Sequence, residues 1–214
     1  MILETLIVGP LEVNCYLMAY APGRDALVID PGDDGERILE RIHENNLSLK
    51  YILNTHGHFD HVGANRKLKE ATGADILIHE KDAPLLTIAG EQARSFGLTA
   101  DDSPPADRFL SHRDRIELGG ICLQVIATPG HSGGGICLLM EDLLFTGDTL
   151  FAGSIGRTDL PGSSFRQIMV SIQEMILPLG DHLKIYPGHG PGSTIGKEKR
   201  TNPFLLSPGS REIG

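Results

Sequence analysis

The stretch Thr55-His56-Gly57-His58-Phe59-Asp60-His61 constrains this chain more than any other, because it crowds three of the nine histidines and a carboxylate into one short run. The apolar residues Tyr51-Ile52-Leu53-Asn54 before it read as a buried strand, and the residues after it as a helix. The donors therefore sit in a strand-to-helix loop on a rigid frame. In extended backbone His56 and His58 point the same way, whereas Asp60 and His61 lie where the chain begins to coil and turn toward a neighbouring point. Without a cation, four such groups would lose hydration and gain little packing. Two adjacent metal sites follow, and their nitrogen and oxygen donors suit zinc, with iron or manganese also accommodated.

Three later loops repeat the theme, each at the end of an apolar strand. They are Thr128-Pro129-Gly130-His131, Thr146-Gly147-Asp148-Thr149 and Tyr186-Pro187-Gly188-His189-Gly190, each offering one metal-competent side chain beside glycine or proline. Further β-rich runs lie at Leu6 to Val8, Asn14 to Ala19, Ala26 to Ile29, Ile76 to Ile78, Ile121 to Ala127, Ile136 to Met140, Leu143 to Phe145 and Leu183 to Tyr186. Helical patterns cover Glu36 to Asn45, His61 to Thr72 with Gly73 as its stop, and a stretch after Ser163 or Ser164. In that last helix Phe165, Ile168, Met169, Ile172, Met175, Ile176 and Leu179 repeat at three and four and form a core stripe. Residues Thr87 to Arg108 read as an irregular surface excursion. Strands that alternate with helices in some places and form hairpins in others call for mixed sheets in an α/β sandwich, one domain spanning residues 1–214.

Composition removes several classes of function. The 28 acidic against 19 basic side chains give a net charge of -9, which disfavours nucleic acid and anionic membranes as partners. No secretory leader and no apolar run near the roughly 18 residues of a bilayer span is visible, so a cytoplasmic location is expected. Cys15, Cys122 and Cys137, set among apolar neighbours, read as buried reduced thiols.

The order of these loops resembles the metallo-β-lactamase superfamily, whose signature is H-x-H-x-D-H followed by separate His, Asp and His. The sequence is most similar to short, single-domain relatives of glyoxalase II, the hydroxyacylglutathione hydrolases. That likeness includes Asn14-Cys15-Tyr16, Asp30-Pro31-Gly32, Gly156-Arg157-Thr158-Asp159 and Thr194-Ile195-Gly196 to Thr201-Asn202-Pro203-Phe204. The resemblance implies a four-layer αββα sandwich with the site at one edge of two mixed sheets. It also implies one metal on His56, His58 and His131, a second on Asp60, His61 and His189, and Asp148 bridging both. Asp60 and Asp148 are then the catalytic carboxylates. Full-length glyoxalase II enzymes extend into a helical domain that supplies basic residues for glutathione. Here 25 residues follow His189, and they include the basic cluster Lys197, Lys199 and Arg200, which is either a substrate-binding group or a solvated helix face.

Two divalent cations, two carboxylates and a bridging hydroxide leave a surplus of positive charge that favours an anionic substrate. Coordination brings the pKa of water toward about 7, and attack on a carbonyl then creates an oxyanion beside the cations. A thiolate leaves with little protonation, so a glutathione-type thioester suits a site without an obvious general acid. Arg157 is placed either to hold a substrate carboxylate or to pair with an acid such as Asp159. Asp30 is read as hydrogen-bonded to a metal-binding histidine, His79 as a structural histidine, and His43 and His112 as surface residues. The rival readings are a persulfide dioxygenase of the same fold, with a single iron on His56, His131 and Asp148, a lactonase, and a metal-stabilised binding scaffold.

Overall fold

A computed structural model describes residues 1–21 and 24–206. Strands β1 (Ile2–Val8), β2 (Val13–Ala19), β3 (Asp25–Ile29), β4 (Ser48–Leu53), β5 (Asp75–His79) and β6 (Arg108–Leu110) form one sheet in that order. The first three are antiparallel and β3 to β6 run parallel. Strands β7 (Arg115–Leu118), β8 (Ile121–Ala127), β9 (Ile136–Met140) and β10 (Leu143–Gly147) follow as an antiparallel meander in a second sheet. Strands β11 (Leu150–Phe151) and β12 (Ser154–Ile155) make a separate small hairpin. Strand β13 (Lys184–Pro187) then returns parallel to β10, and β14 (Ser193–Thr194) pairs antiparallel to β13.

Helix α1 (Gly35–Glu44) follows β3, while α2 (Phe59–Val62) and α3 (Asn65–Thr72) follow β4. Helices α4 (Ala83–Leu86) and α5 (Ala89–Ser95) follow β5, α6 (Phe165–Val170) follows β12, and α7 (Ile195–Thr201) and α8 (Pro203–Leu206) come last. Successive side chains of a strand face opposite ways, and β2 shows what that does here. Val13, Cys15, Leu17 and Ala19 pack toward the helical layer with Ile38, Ile42 and Leu68, whereas Tyr16 and Met18 pack between the sheets against Leu138, Phe145 and other residues of the second sheet. A third cluster places Ile168 and Ile172 against the far face of that sheet, with Leu144 and Ile185. Helix, sheet, sheet, helix is the αββα order expected. Among the described residues, no helix is long and apolar enough to cross a membrane.

Five details differ from what the sequence predicts. The helix read from His61 to Thr72 is broken into α2 and α3, though Gly73 does stop it, at φ 74°. The long helix after Ser164 stays regular only to Val170, then widens to a π-helical stretch over Ser171–Ile176 and tightens at Leu177–Leu179, where Pro178 falls. Phe165 of its predicted core stripe is exposed. Residues 87–108 are not merely irregular: α5 buries Ala89 and Ala93 completely, and its small residues gave no apolar stripe to read. Cys122 is exposed, because on β8 it alternates outward between buried Ile121 and Leu123.

Candidate metal centre

All seven predicted donors converge at the ends of β4, β8, β10 and β13. His58 Nδ1 lies 2.9 Å from His131 Nε2, and His56 Nε2 joins them in a group whose ligand atoms are all within 4.8 Å. Asp60, His61 and His189 form a second such group, with His61 Nε2 3.3 Å from His189 Nε2 and His189 Nε2 3.4 Å from Asp60 Oδ2. Asp148 stands between the groups. Its Oδ1 is 3.4 Å from His61 Nε2 and its Oδ2 3.4 Å from His131 Nε2.

The surroundings aim these rings. His131 Nδ1–H donates to the Arg157 carbonyl and His189 Nδ1–H to the Leu11 carbonyl, each at 2.9 Å. Asp30 accepts from the Thr55 amide (2.7 Å) and hydroxyl (2.6 Å) and sits 3.0 Å from His61 Nδ1. The Thr55 hydroxyl in turn lies 3.1 Å from His56 Nδ1. Four imidazoles are thus held by Nδ1 and present Nε2 to a shared centre, the usual arrangement of metal-binding histidines. His56 Nε2 and Asp148 Oδ1 are buried without any hydrogen-bond partner, which an apolar core would not tolerate and a cation would satisfy. The donor chemistry and these two orphaned atoms fit divalent cations.

Titration reflects the same crowding. Burial, reinforced by the neighbouring imidazoles, holds His56 well below its usual range and His58 down to about 3. Burial also opposes charge on His61, yet Asp148, Asp60 and Asp30 outweigh it and lift its pKa to about 10. Burial would raise Asp60, but His61 and His189 more than offset this and keep it ionised.

Several supporting residues left no signal in the sequence. Asp82, almost fully buried, accepts from the Gly57 amide at 3.1 Å and the Gly134 amide at 2.6 Å, so one carboxylate braces the loops of both His58 and His131. The glycine run after His131 therefore approaches Asp82. Gly188 is pressed against the site, since a β-carbon there would lie 2.2 Å from Asp148 Oδ1. Gly130, at φ +146°, leaves no room for a side chain beside the backbone of Ile168. His79 Nδ1 accepts from the Lys81 amide and caps the turn that leads to Asp82, a structural role.

Five of the donors, His58, Asp60, His131, Asp148 and His189, form the floor of a cleft of about 650 Å³, with His56 and His61 buried beneath it. Arg157 lines it, but both its Nε and Nη2 donate to Asp159 at 2.7 Å. Lys197, Lys199 and Arg200 do not line it; they lie on α7, where Lys199 pairs with Asp181 at 2.5 Å. His43 and His112 are exposed at the surface.

Comparison with known proteins agrees with this geometry. The family model described as "Metallo-beta-lactamase superfamily" matches residues 8–189. Hydroxyacylglutathione hydrolase GloC of Haemophilus influenzae is 42% identical over 209 residues, covering 96% of this chain and 98% of that protein. The crystal structure of BLEG-1 B3 metallo-beta-lactamase superposes with a TM-score of 0.88 at 35% identity, covering 95% of this chain and 99% of that one. That of TTHA1623 in a di-iron-bound form does so with a TM-score of 0.87 at 40% identity, over 94% and 100%. With its four-layer sandwich, its seven converging donors and these relatives, the chain belongs to the metallo-beta-lactamase superfamily, where it is of the glyoxalase II-like, short type.

Proposed function

We propose that this protein is a metal-dependent hydrolase that cleaves a glutathione-type thioester. His56, His58 and His131 would hold one divalent cation and Asp60, His61 and His189 a second, with Asp148 shared. One observation carries the reading: a single carboxylate, Asp148, lies 3.4 Å from a histidine of each group. Both groups are complete, which favours two cations over the single iron of a dioxygenase. The GloC relative supports the substrate class, and the di-iron form of TTHA1623 makes iron as well as zinc a fitting metal. Bound there, such cations would polarise a carbonyl and make water available as hydroxide near neutrality.

The chain's own groups set the geometry of the reaction. Asp60 and Asp148 supply fixed negative charge, and the Nδ1 contacts of His131 and His189 keep both rings from turning as charge develops. Water oxygen bonds to the acyl carbon as one water proton passes to solvent, the carbon–sulfur bond breaks with its electron pair going to sulfur, and the carboxylic acid formed loses the other proton. Beyond the donors, Arg157 is the one charged residue lining the cleft among the described residues, and it is tied to Asp159. A leaving group that departs as a thiolate needs no further acid.

The test is metal analysis of protein purified without chelators, together with thioester hydrolysis. The reading expects two metal ions per chain and chelator-sensitive cleavage. His58→Ala should lose metal and abolish hydrolysis while keeping most of the fold, since the ring projects from a loop. One iron per chain, with oxygen consumed on glutathione persulfide and no thioester cleaved, would replace this reading with the dioxygenase.

A further inference from the structure

The walls of the cleft differ in character from its floor. Leu85, Ile88 and Phe96 line one side, and Phe151, Ile155 and Leu160 the other. Ile88 is 40% exposed and Phe96 50%, and Leu11 at the same rim is 40% exposed. Single exposed apolar residues mean little, but several gathered on one concavity mark a binding surface.

Helix α5 makes the point sharper. Ile88 and Phe96 flank it, while the helix itself buries only Ala89, Gly90 and Ala93. Its small residues face the core, while the large apolar Ile88 and Phe96 at its two ends face the cleft, the reverse of what packing alone would select. The apolar lining continues to the donors: the Phe96 ring lies 5.5 Å from that of Phe59 in α2, and the Phe151 ring 6.2 Å from the His189 imidazole. Charge is correspondingly scarce, because Arg157 is engaged by Asp159 and the basic residues of α7 lie elsewhere.

We propose that the thioester taken by this cleft carries an apolar acyl group, a linear alkyl chain or an aryl ring, lying between Ile88 and Phe96 on one wall and Phe151 on the other. This rests on the thioesterase reading above and names its acyl specificity. The orientation follows from the reaction. The thiolate is released as an anion and is disfavoured against an apolar wall, so the thiol side faces the open mouth and the acyl side the wall.

The test uses the metal-loaded protein and two series of thioesters, one of glutathione and one of uncharged N-acetylcysteamine. Each series bears D-lactoyl, acetyl, butanoyl, hexanoyl, octanoyl and benzoyl groups, and thiol release is followed. In whichever series is cleaved, kcat/KM should rise about fourfold per added methylene until the chain outgrows the cleft. Ile88→Ser and Phe96→Ser, both at exposed positions, should compress the hexanoyl-to-acetyl ratio by at least about fivefold. A lactoyl ester cleaved as well as the hexanoyl one, or a flat series, would overturn the apolar specificity and leave the thioesterase reading standing. No cleavage of any member of either series would remove the thioesterase reading, and this inference with it.

Discussion

Gly188→Ala is the sharpest probe of the shared carboxylate. The new β-carbon would lie 2.2 Å from Asp148 Oδ1, 2.8 Å from His61 Cε1 and 3.2 Å from the Gly147 carbonyl carbon, where ordinary contact begins near 3.4 Å. The peptide cannot retreat, because the Gly188 amide donates to the Gly147 carbonyl at 2.8 Å and its carbonyl accepts from the Asn14 amide at 2.7 Å. The side chain of Asp148 must therefore move by about an ångström, a displacement that costs on the order of 100-fold in rate at a preorganised site. Overpacking of this kind costs about 1–3 kcal/mol, well within the roughly 5–15 kcal/mol of a folded domain, so the variant should still fold. Gly133→Ala is the control, since its β-carbon would meet nothing within 4 Å. Metal content after dialysis, thermal unfolding and kcat/KM on a thioester are read for both variants. Gly188→Ala with full metal loading and a rate within about threefold of the parent would refute the argument that Asp148 must stand between the two groups.

Asp30→Asn should weaken metal binding by about 10–100-fold in chelator competition, since it removes the charge that aims His61 and anchors Thr55; unchanged affinity would remove Asp30 from the site. Asp82→Ala strands the Gly57 and Gly134 amides in a buried position and should lower stability by about 2–4 kcal/mol in denaturant unfolding, and a midpoint equal to the parent's would contradict the bracing role. His61, with a pKa near 10 in the metal-free protein, carries a proton at pH 7.5 that an incoming cation must displace. Binding enthalpy should then vary with the ionisation enthalpy of the buffer, and invariance would disprove proton release. The same shift has a sign for stability. A folded-state pKa raised above about 6.5 stabilises fully below that pH, and the metal-free protein should lose this contribution as pH climbs through about 10.

The donor set was legible because each member is a distinctive residue type beside a turn former at the end of an apolar run. What aims the donors was mostly not. The carbonyls of Leu11 and Arg157 have no sequence signature, and Asp82 is one acid among 28 acidic residues until the fold brings Gly57 and Gly134 to it. Strand centres such as Ile52 and Val125 were readable, whereas β6 and β7, with Arg108, Phe109, Arg115 and Glu117 exposed, did not form apolar runs. The cleft wall left no pattern for a related reason: α5 is built of small and polar residues with the large apolar Ile88 and Phe96 only at its two ends, so it carries no stripe. The acyl specificity proposed above could emerge only from coordinates.

The His56-to-His61 loop belongs to the first sheet, whereas His131, Asp148 and His189 belong to the second, and the two meet beside the site where Asn14 and Tyr16 reach the Pro187 carbonyl and the Ile136 amide donates to the Thr55 carbonyl at 2.9 Å. Each half of the sandwich thus owns an incomplete set of candidate ligands, and a cation bound there would act as a rivet between them. Uptake of metal is in effect an inspection of assembly: a chain whose sheets have docked out of register would stay colourless to a metal dye, and stripping the cations should loosen the seam between the halves before it melts either one.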